Sequence, residues 1–470
     1  MKELQFYFIN YKNSIAGVGG VGTVSRDLIE YYPGVRCIFW DGTKAIRGSD
    51  VGINLGNGVN HGEVHLLFFK KYLWSLLHGI ECKISDKQLN IARRDLRKQV
   101  AVLVSKIVQE IGTKNNSFNG DIFWINDYTA LPLVRELRDH YERATIVFSF
   151  RTPFGREGFY PNIQQPDVGM FVDLLNSDLI TFHRRCDMLT YIKFLEENAT
   201  SVIDKTRAVD DFSILILTKD GHTVELLVVP MGNNLQYRQS LAYTKEAREI
   251  VKKIRSDHKG KKIITSISRF EQTKGVEYEI DLVNTLIKKH PELKDKFVFM
   301  RYTYRSKKKI DDYEYSALHD RVLKGVENIN RKYGGKSWTP IIYSNEHKLT
   351  DQEVTAVLQV SDIVIVASVA DGFNHLALEA IHSQTQEMPK VQLLLSNIGA
   401  TDYIKGYNRL KLSLENDVEI LYKALVRSEK EINVSYKELR SSASRLSSRS
   451  WLDTIISRAQ IISESKGGKR

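Results

Sequence analysis

"SDIVIVASVADGFNHLALEAI", residues 361–381, decides how the rest of this 470-residue chain is read. Its first half is a strongly apolar run, as in a strand buried within a parallel sheet. The run then passes through Asp371, Gly372, Phe373, Asn374 and His375 into a helix that contains Glu379. Gly372 lets the chain turn tightly, and the amides that follow can point at a ligand beside the helix start. Asp371 can accept from sugar hydroxyls and Glu379 from a ribose. An aspartate N-cap followed by an ordinary helix glutamate fits the same letters, so a second motif has to decide.

That motif lies upstream, in "SISRFEQTKGVEYEIDLVNTLIKKHPEL", where Arg269 and Lys274 follow a predicted strand and stand in a turn before a helix. Two cations at the carboxyl end of a parallel strand are well placed to clamp a diphosphate. The surrounding pattern is α/β from end to end, with apolar strands alternating with amphipathic helices. In the first half, strands are expected at 4–10, 35–40, 121–127, 144–150, 178–182 and 225–230. In the second half they are expected at 262–268, 296–302, 339–344, 362–368 and 392–396. The polar, turn-forming "PMGNNLQYRQS" separates the halves. The expected domains are therefore 1–235 and 236–440, followed by a helical tail at 441–470 that ends in a basic "KGGKR" and either crosses between the domains or caps the second.

Near the start, Gly17, Gly19 and Gly22 spell G-x-G-x-x-G, with Asp41 about twenty residues on. In a dinucleotide-binding fingerprint the first glycine comes directly off the strand. Here "YKNSIA" intervenes, so the spacing argues against a dehydrogenase and for a glycine loop turned toward some other anion.

Composition narrows the class. Hydrophobic residues make up 42% and charged residues 27%, as in ordinary globular proteins. No apolar run approaches the roughly 20 residues needed to cross a bilayer, and the first residues lack the pattern of a secretory leader. Cys37, Cys82 and Cys186 are scattered and odd in number, which fits neither a disulfide framework nor a metal site and suggests a reducing, cytoplasmic setting. The net charge of +11 favours an anionic ligand or partner, nucleic acid included, although a lysine-rich solvated surface would give the same number. The aspartate pairs at 210–211 and 311–312 sit in polar, loop-like sequence with no flanking histidine, so no metal is expected.

Taken in order, "GGVGTV", "FWINDYTALPLVRELR", "TPFGREGF", "LLNSDLITFH", "VVPMGNN", "SRFEQTKG", "KYGGKSWTPIIY" and "SDIVIVASVADGFNHLALEAI" resemble the trehalose-6-phosphate synthase-like enzymes, retaining glycosyltransferases of family 20. The resemblance spans nearly the whole chain. It implies the GT-B architecture, two facing Rossmann-like domains with parallel sheets and an interdomain cleft. The first domain would carry the acceptor side and the second the nucleotide-sugar donor, with UDP-glucose as the donor and no cofactor required. The catalytic group implied is Arg269, Lys274, Asp371 and Asp127. Gly19, Gly20, Gly22, Arg151, Asn374, His375, Leu376 and Glu379 would bind the donor, and Trp40, Tyr11, Lys12 and Arg305 the acceptor.

The departures matter as much. The family usually has histidine before "TPF", whereas this chain has Arg151, bulkier and permanently charged. "FINYKN" offers Tyr11 and Lys12 where an arginine grips the acceptor phosphate. Arg305 stands in as a second phosphate-gripping arginine, and "GIECKISDKQLN" lacks the expected aromatics. Donor sugar and product therefore stay open. So do two alternatives: transfer to modified nucleic-acid bases, and a non-catalytic, sugar-nucleotide-binding regulatory relative.

Overall fold

In a computed structural model of the chain, the residues described are 5–12, 20–45, 47–56, 60–82, 84–112, 121–155, 163–304, 313–345, 348–388 and 390–467. They form two compact units. One comprises Met1–Met231 with Ser448–Arg470, the other Gly232–Ser447.

The first unit is built on a nine-stranded sheet: β1 (Phe6–Ile9), β2 (Arg36–Phe39), β3 (Val51–Gly52), β4 (Ile122–Asn126), β5 (Thr145–Ser149), β6 (Leu179–Phe182), β7 (Ile203–Ala208), β8 (Ser213–Thr218) and β9 (Thr223–Val228). The order is β3-β2-β1-β4-β5-β6-β9-β8-β7, parallel from β3 through β9. All residues of β1, β4, β5 and β6 are buried, as the unbroken apolar strands required, because helices cover both faces. Helix α1 (Gly20–Tyr31) follows β1, and α2 (Asp86–Ile111) starts at a Ser85/Gln88 capping box. Ahead of α2 the chain winds through a π-helical stretch, His65–Leu73.

All six strands expected in this half are present; β3, β7 and β8 were not foreseen. β7 and β8 form an antiparallel hairpin on β9. β7, "IDKTRA", is exposed along most of its length, so it carries none of the apolar signal by which the inner strands announce themselves. The aspartates at 210–211 lie in its turn.

The second unit has six parallel strands: β10 (Lys262–Arg269), β11 (Phe297–Tyr304), β12 (Ile341–Ser344), β13 (Ile363–Val366), β14 (Gln392–Leu395) and β15 (Asn408–Arg409), in the order β12-β11-β10-β13-β14-β15. Its helices include α3 (Leu235–Ala242), α4 (Val276–Lys289), α5 (Asp351–Val360) and α6 (Leu376–His382). The first six strands of each unit thus share one order, 3-2-1-4-5-6. Connections leave the central pair in opposite directions, β1 and β4 in one unit, β10 and β13 in the other. The carboxyl ends of that pair are the topological switch point, where such sheets bind ligands.

The tail forms α7 (Ser448–Gly467) and packs on the first unit. Trp451 sits against the buried Trp124 of β4, ring centroids 5.2 Å apart. Asp453 accepts from the Tyr32 hydroxyl, Arg458 pairs with Glu225 at 2.5 Å, and Lys466 with Asp178 at 2.6 Å. No helix among the described residues is long and apolar enough to cross a membrane.

Candidate active site

In the second unit the sequence-selected residues cluster at the carboxyl ends of β10 and β13. β10 ends at Arg269, and a single 3-10 turn, Gln272–Lys274, leads through Gly275 into α4. Gly275 has φ +66°, and a Cβ there would lie 2.1 Å from the Ala367 carbonyl oxygen, so the turn lies directly on the segment leaving β13. The Val369 amide donates to Thr273 O at 2.8 Å and joins the two loops. Through this contact Lys274 Nζ reaches Asp371 Oδ2 at 2.6 Å, and the same oxygen accepts from Asn374 Nδ2 at 2.8 Å and Ser368 Oγ at 3.3 Å. Asn374 holds a left-handed φ of +70°, and its Oδ1 accepts from the Leu376 amide at 3.1 Å. A Cβ on Gly399 would stand 1.9 Å from Gly372 O, which shows how closely the loop after β14 supports the Asp371 turn.

Lys274, Asp371, Asn374 and Leu376 thus form one hydrogen-bonded knot. Arg269 is turned elsewhere, to Glu271 Oε1 at 2.8 Å. Glu379 pairs with Arg238 of α3 at 2.6 Å, and Arg238 also donates to Thr355 Oγ1 at 3.0 Å. Burial pushes the Tyr304 phenol at the end of β11 up; Arg269 opposes the shift while Glu271 and Glu379 add to it, so these charges share one neighbourhood. His375 lies edge-on to Phe373. Beneath the knot, Glu279 of α4 meets Arg301 of β11 at 2.6 Å, both side chains fully enclosed. Burial raises the Glu279 carboxyl to about 7 against the pull of Arg301. Ser266 Oγ donates to Glu279, and Arg301 donates to Ser268 Oγ.

In the first unit a second cluster occupies the equivalent place, at the ends of β1, β4 and β5. Asp127 has φ +66°, and its Oδ1 accepts from the Arg151 amide at 3.1 Å and from the Thr152 amide and hydroxyl, each at 3.3 Å. Burial raises its carboxyl above the usual range, with those amides pulling the other way. Arg151 Nε donates to Asn126 Oδ1 at 2.6 Å, and Asn126 donates on to Asn10 at 3.2 Å. The Arg151 guanidinium lies over Trp451, 5.3 Å from the ring centre. Tyr11 is buried and stacks on His65 of the π-helical stretch at 4.1 Å, with Trp40 edge-on at 5.8 Å; Lys12 is exposed. Gly20 and Gly22 fall in the first turn of α1. Gly19 and Arg305 lie outside the described residues.

Arg238, Asn126 and His65 were not singled out in the sequence, and Trp451 only as an apolar position of the tail helix. Arg238 had a faint local signal, a cation within the polar stretch after β9. The other three reach the site only through pairings made by the folded chain. Among the described residues no three His, Cys, Asp or Glu side chains converge as a metal site would need.

With this geometry in place, comparison with known proteins gives a consistent result. The family model for glycosyltransferase family 20 matches residues 58–461. The chain belongs to that family. It is a glycosyltransferase. Among the family's curated members, an alpha,alpha-trehalose-phosphate synthase [UDP-forming] from Botryotinia fuckeliana is 24% identical over 84% of this chain and 73% of its own length. A solved structure from E. coli, described as trehalose-6-phosphate bound with UDP-2-fluoro glucose, superposes with a TM-score of 0.84 at 20% identity, covering 97% of this chain and 99% of the other. A Burkholderia xenovorans alpha,alpha-trehalose-phosphate synthase (UDP-forming) in complex with glucose-6-phosphate gives 0.84 at 18% identity, with coverages of 97% and 100%. At such identities the two structures carry the fold, two Rossmann-like α/β units of the GT-B class.

Proposed function

We propose that this family member transfers a hexosyl group, glucose in the first instance, from a UDP-sugar to a sugar-phosphate acceptor with retention at the anomeric carbon. The names of its relatives point to UDP as the product nucleotide, and a glucose-6-phosphate complex in the same fold supports a phosphorylated acceptor. One observation carries the reading: an ammonium, a carboxylate and a carboxamide, Lys274, Asp371 and Asn374, are knotted together at the ends of β10 and β13.

In this reading the acceptor hydroxyl attacks the anomeric carbon on the side from which the diphosphate departs. Negative charge grows on the leaving phosphate as the sugar becomes cation-like. Lys274 and Arg269 stabilise that charge, which favours the transition state over the bound substrate. Asp371 holds Lys274 in place and offers its carboxylate to the transferred sugar; Glu379, braced by Arg238, takes the ribose. The backbone near His375 and Leu376 adds donor contacts, as do Gly19, Gly20 and Gly22. Asp127 orients the acceptor, and Trp40, Tyr11, Lys12 and Arg305 are its further proposed ligands. The chemistry requires no redox or metal cofactor.

Lys274→Ala tests this directly with UDP-glucose and glucose 6-phosphate, UDP release being the readout. Turnover is expected to fall by about a hundredfold or more, the size of effect seen when one group that stabilises developing charge is removed. Wild-type turnover in a folded variant would remove Lys274 from the mechanism.

A further inference from the structure

One buried charge in the first unit is left unmatched by everything described so far. Arg151 uses Nε on Asn126 and one face of its guanidinium on Trp451. Its two terminal nitrogens, Nη1 and Nη2, are shielded from solvent and have no hydrogen-bond partner. Asp127, the adjacent carboxylate, directs its Oδ1 to the backbone amides of Arg151 and Thr152 and forms no ion pair with the guanidinium. Burial lowers the side chain to about 10, which leaves it charged at neutral pH. A buried cation whose donors are unpaired is costly, and Asn126, itself tied to Asn10, fixes its direction. The free edge is the planar two-nitrogen fork that suits carboxylate or phosphate oxygens and that no neutral hydroxyl matches as well.

We propose that Arg151 anchors an oxyanion carried by one of the two substrates, either a carboxylate on the donor hexose or the phosphate of the acceptor, and so sets which substrate this enzyme accepts. The inference rests on the UDP-sugar transferase reading above. A permanently charged planar fork recognises charge rather than a neutral hydroxyl.

The test uses the full chain in two arms, with kcat/KM taken from UDP release. The donor arm compares UDP-glucuronate with UDP-glucose; the acceptor arm compares glucose 6-phosphate with glucose. The wild type is expected to favour the charged substrate in one arm by about ten- to a hundredfold, the worth of hydrogen bonds to a charged group. Arg151→Gln should lower that ratio about tenfold or more, chiefly through loss of the charged substrate, because the neutral one never used the fork. Arg151→Lys, which keeps the charge and loses the planar fork, should lie between them and serves if the glutamine variant folds poorly. The arm whose ratio collapses identifies the oxyanion's source. A wild type indifferent to charge in both arms, or a preference that survives in both variants, overturns the inference alone. A wild type that releases UDP from neither donor overturns the transferase reading, and this inference with it.

Discussion

A methyl group on Gly275 would stand 2.1 Å from a backbone oxygen of the neighbouring loop, at a φ of +66° that side chains resist. The residue beside it is Lys274. Gly275→Ala should therefore strain the backbone and push the β10 and β13 loops apart together. We expect a loss of about 2–3 kcal/mol in urea unfolding, with reduced UDP release as Lys274 leaves Asp371. Lys274→Ala should lower turnover with the unfolding midpoint nearly unchanged. A destabilised Gly275→Ala that keeps wild-type UDP release would mean that the close loop contact is not what holds the lysine. Residues of this kind were legible in the sequence because their signals are local: a glycine after a cation after a strand, an aspartate-glycine pair before a helix. Arg151 was legible only as an oddity. Its consequence depends on Trp451, 300 residues away, and no spacing rule reaches that far.

The element that matters most to the first unit is α7. The sequence showed a helix with Trp451 and Leu452 on its apolar positions and left it either crossing between the domains or capping the second, whereas it packs on the first unit, because its apolar positions match the surface beside Trp124. In the folded chain Trp451 is buried between Trp124 of β4 and the Arg151 guanidinium. Trp451→Ala should cost about 3–5 kcal/mol, the range for removing a large buried aromatic, read as a lower denaturant midpoint. If Arg151 depends on that ring for its position, the variant should also blunt the charge preference. The inner strands were readable throughout, since parallel strands covered on both faces are apolar without interruption. The β7–β8 hairpin escaped because β7, exposed and polar, gains its stability from pairing with β8 rather than from burial. The π-helical stretch escaped as well: no composition rule separates it from an α-helix, yet it brings His65 onto Tyr11.

At the scale of the whole molecule, two buried groups of opposite sign act on stability between pH 4 and 7, Glu279, raised, and His382, lowered, and the histidine can be isolated. His382 closes α6, is buried, and donates from Nδ1 to Asn233 Oδ1 at 2.6 Å. Burial, then Arg238 and Arg440, lower it to about 4. Between the ordinary value near 6.5 and that one, the unfolded chain binds the extra proton and the folded chain does not. The histidine's own contribution should thus be complete above about pH 6.5 and be lost as the pH falls toward about 4, by about 2–3 kcal/mol. Compared by urea unfolding near pH 7 and near pH 5, the wild type should lose more stability on acidification than His382→Asn does; the same change in both proteins would remove His382 as a cause. Asn233 is also where the chain enters the second unit. It is bridged to Ser447, where the chain leaves, and a Cβ on Gly232 would press on Leu446 and Ser447 at 2.3 Å.

Because α7 follows the second unit in the chain yet belongs to the first, the order of synthesis differs from the order of the structure. The 216 residues of the second unit lie between Met231 and the helix that covers Trp124. At about 5–20 residues per second a ribosome needs roughly 10–40 s to cross that distance. Throughout that interval the nascent first unit has its β4 indole uncovered, and the second unit has its whole chain available before the first can close.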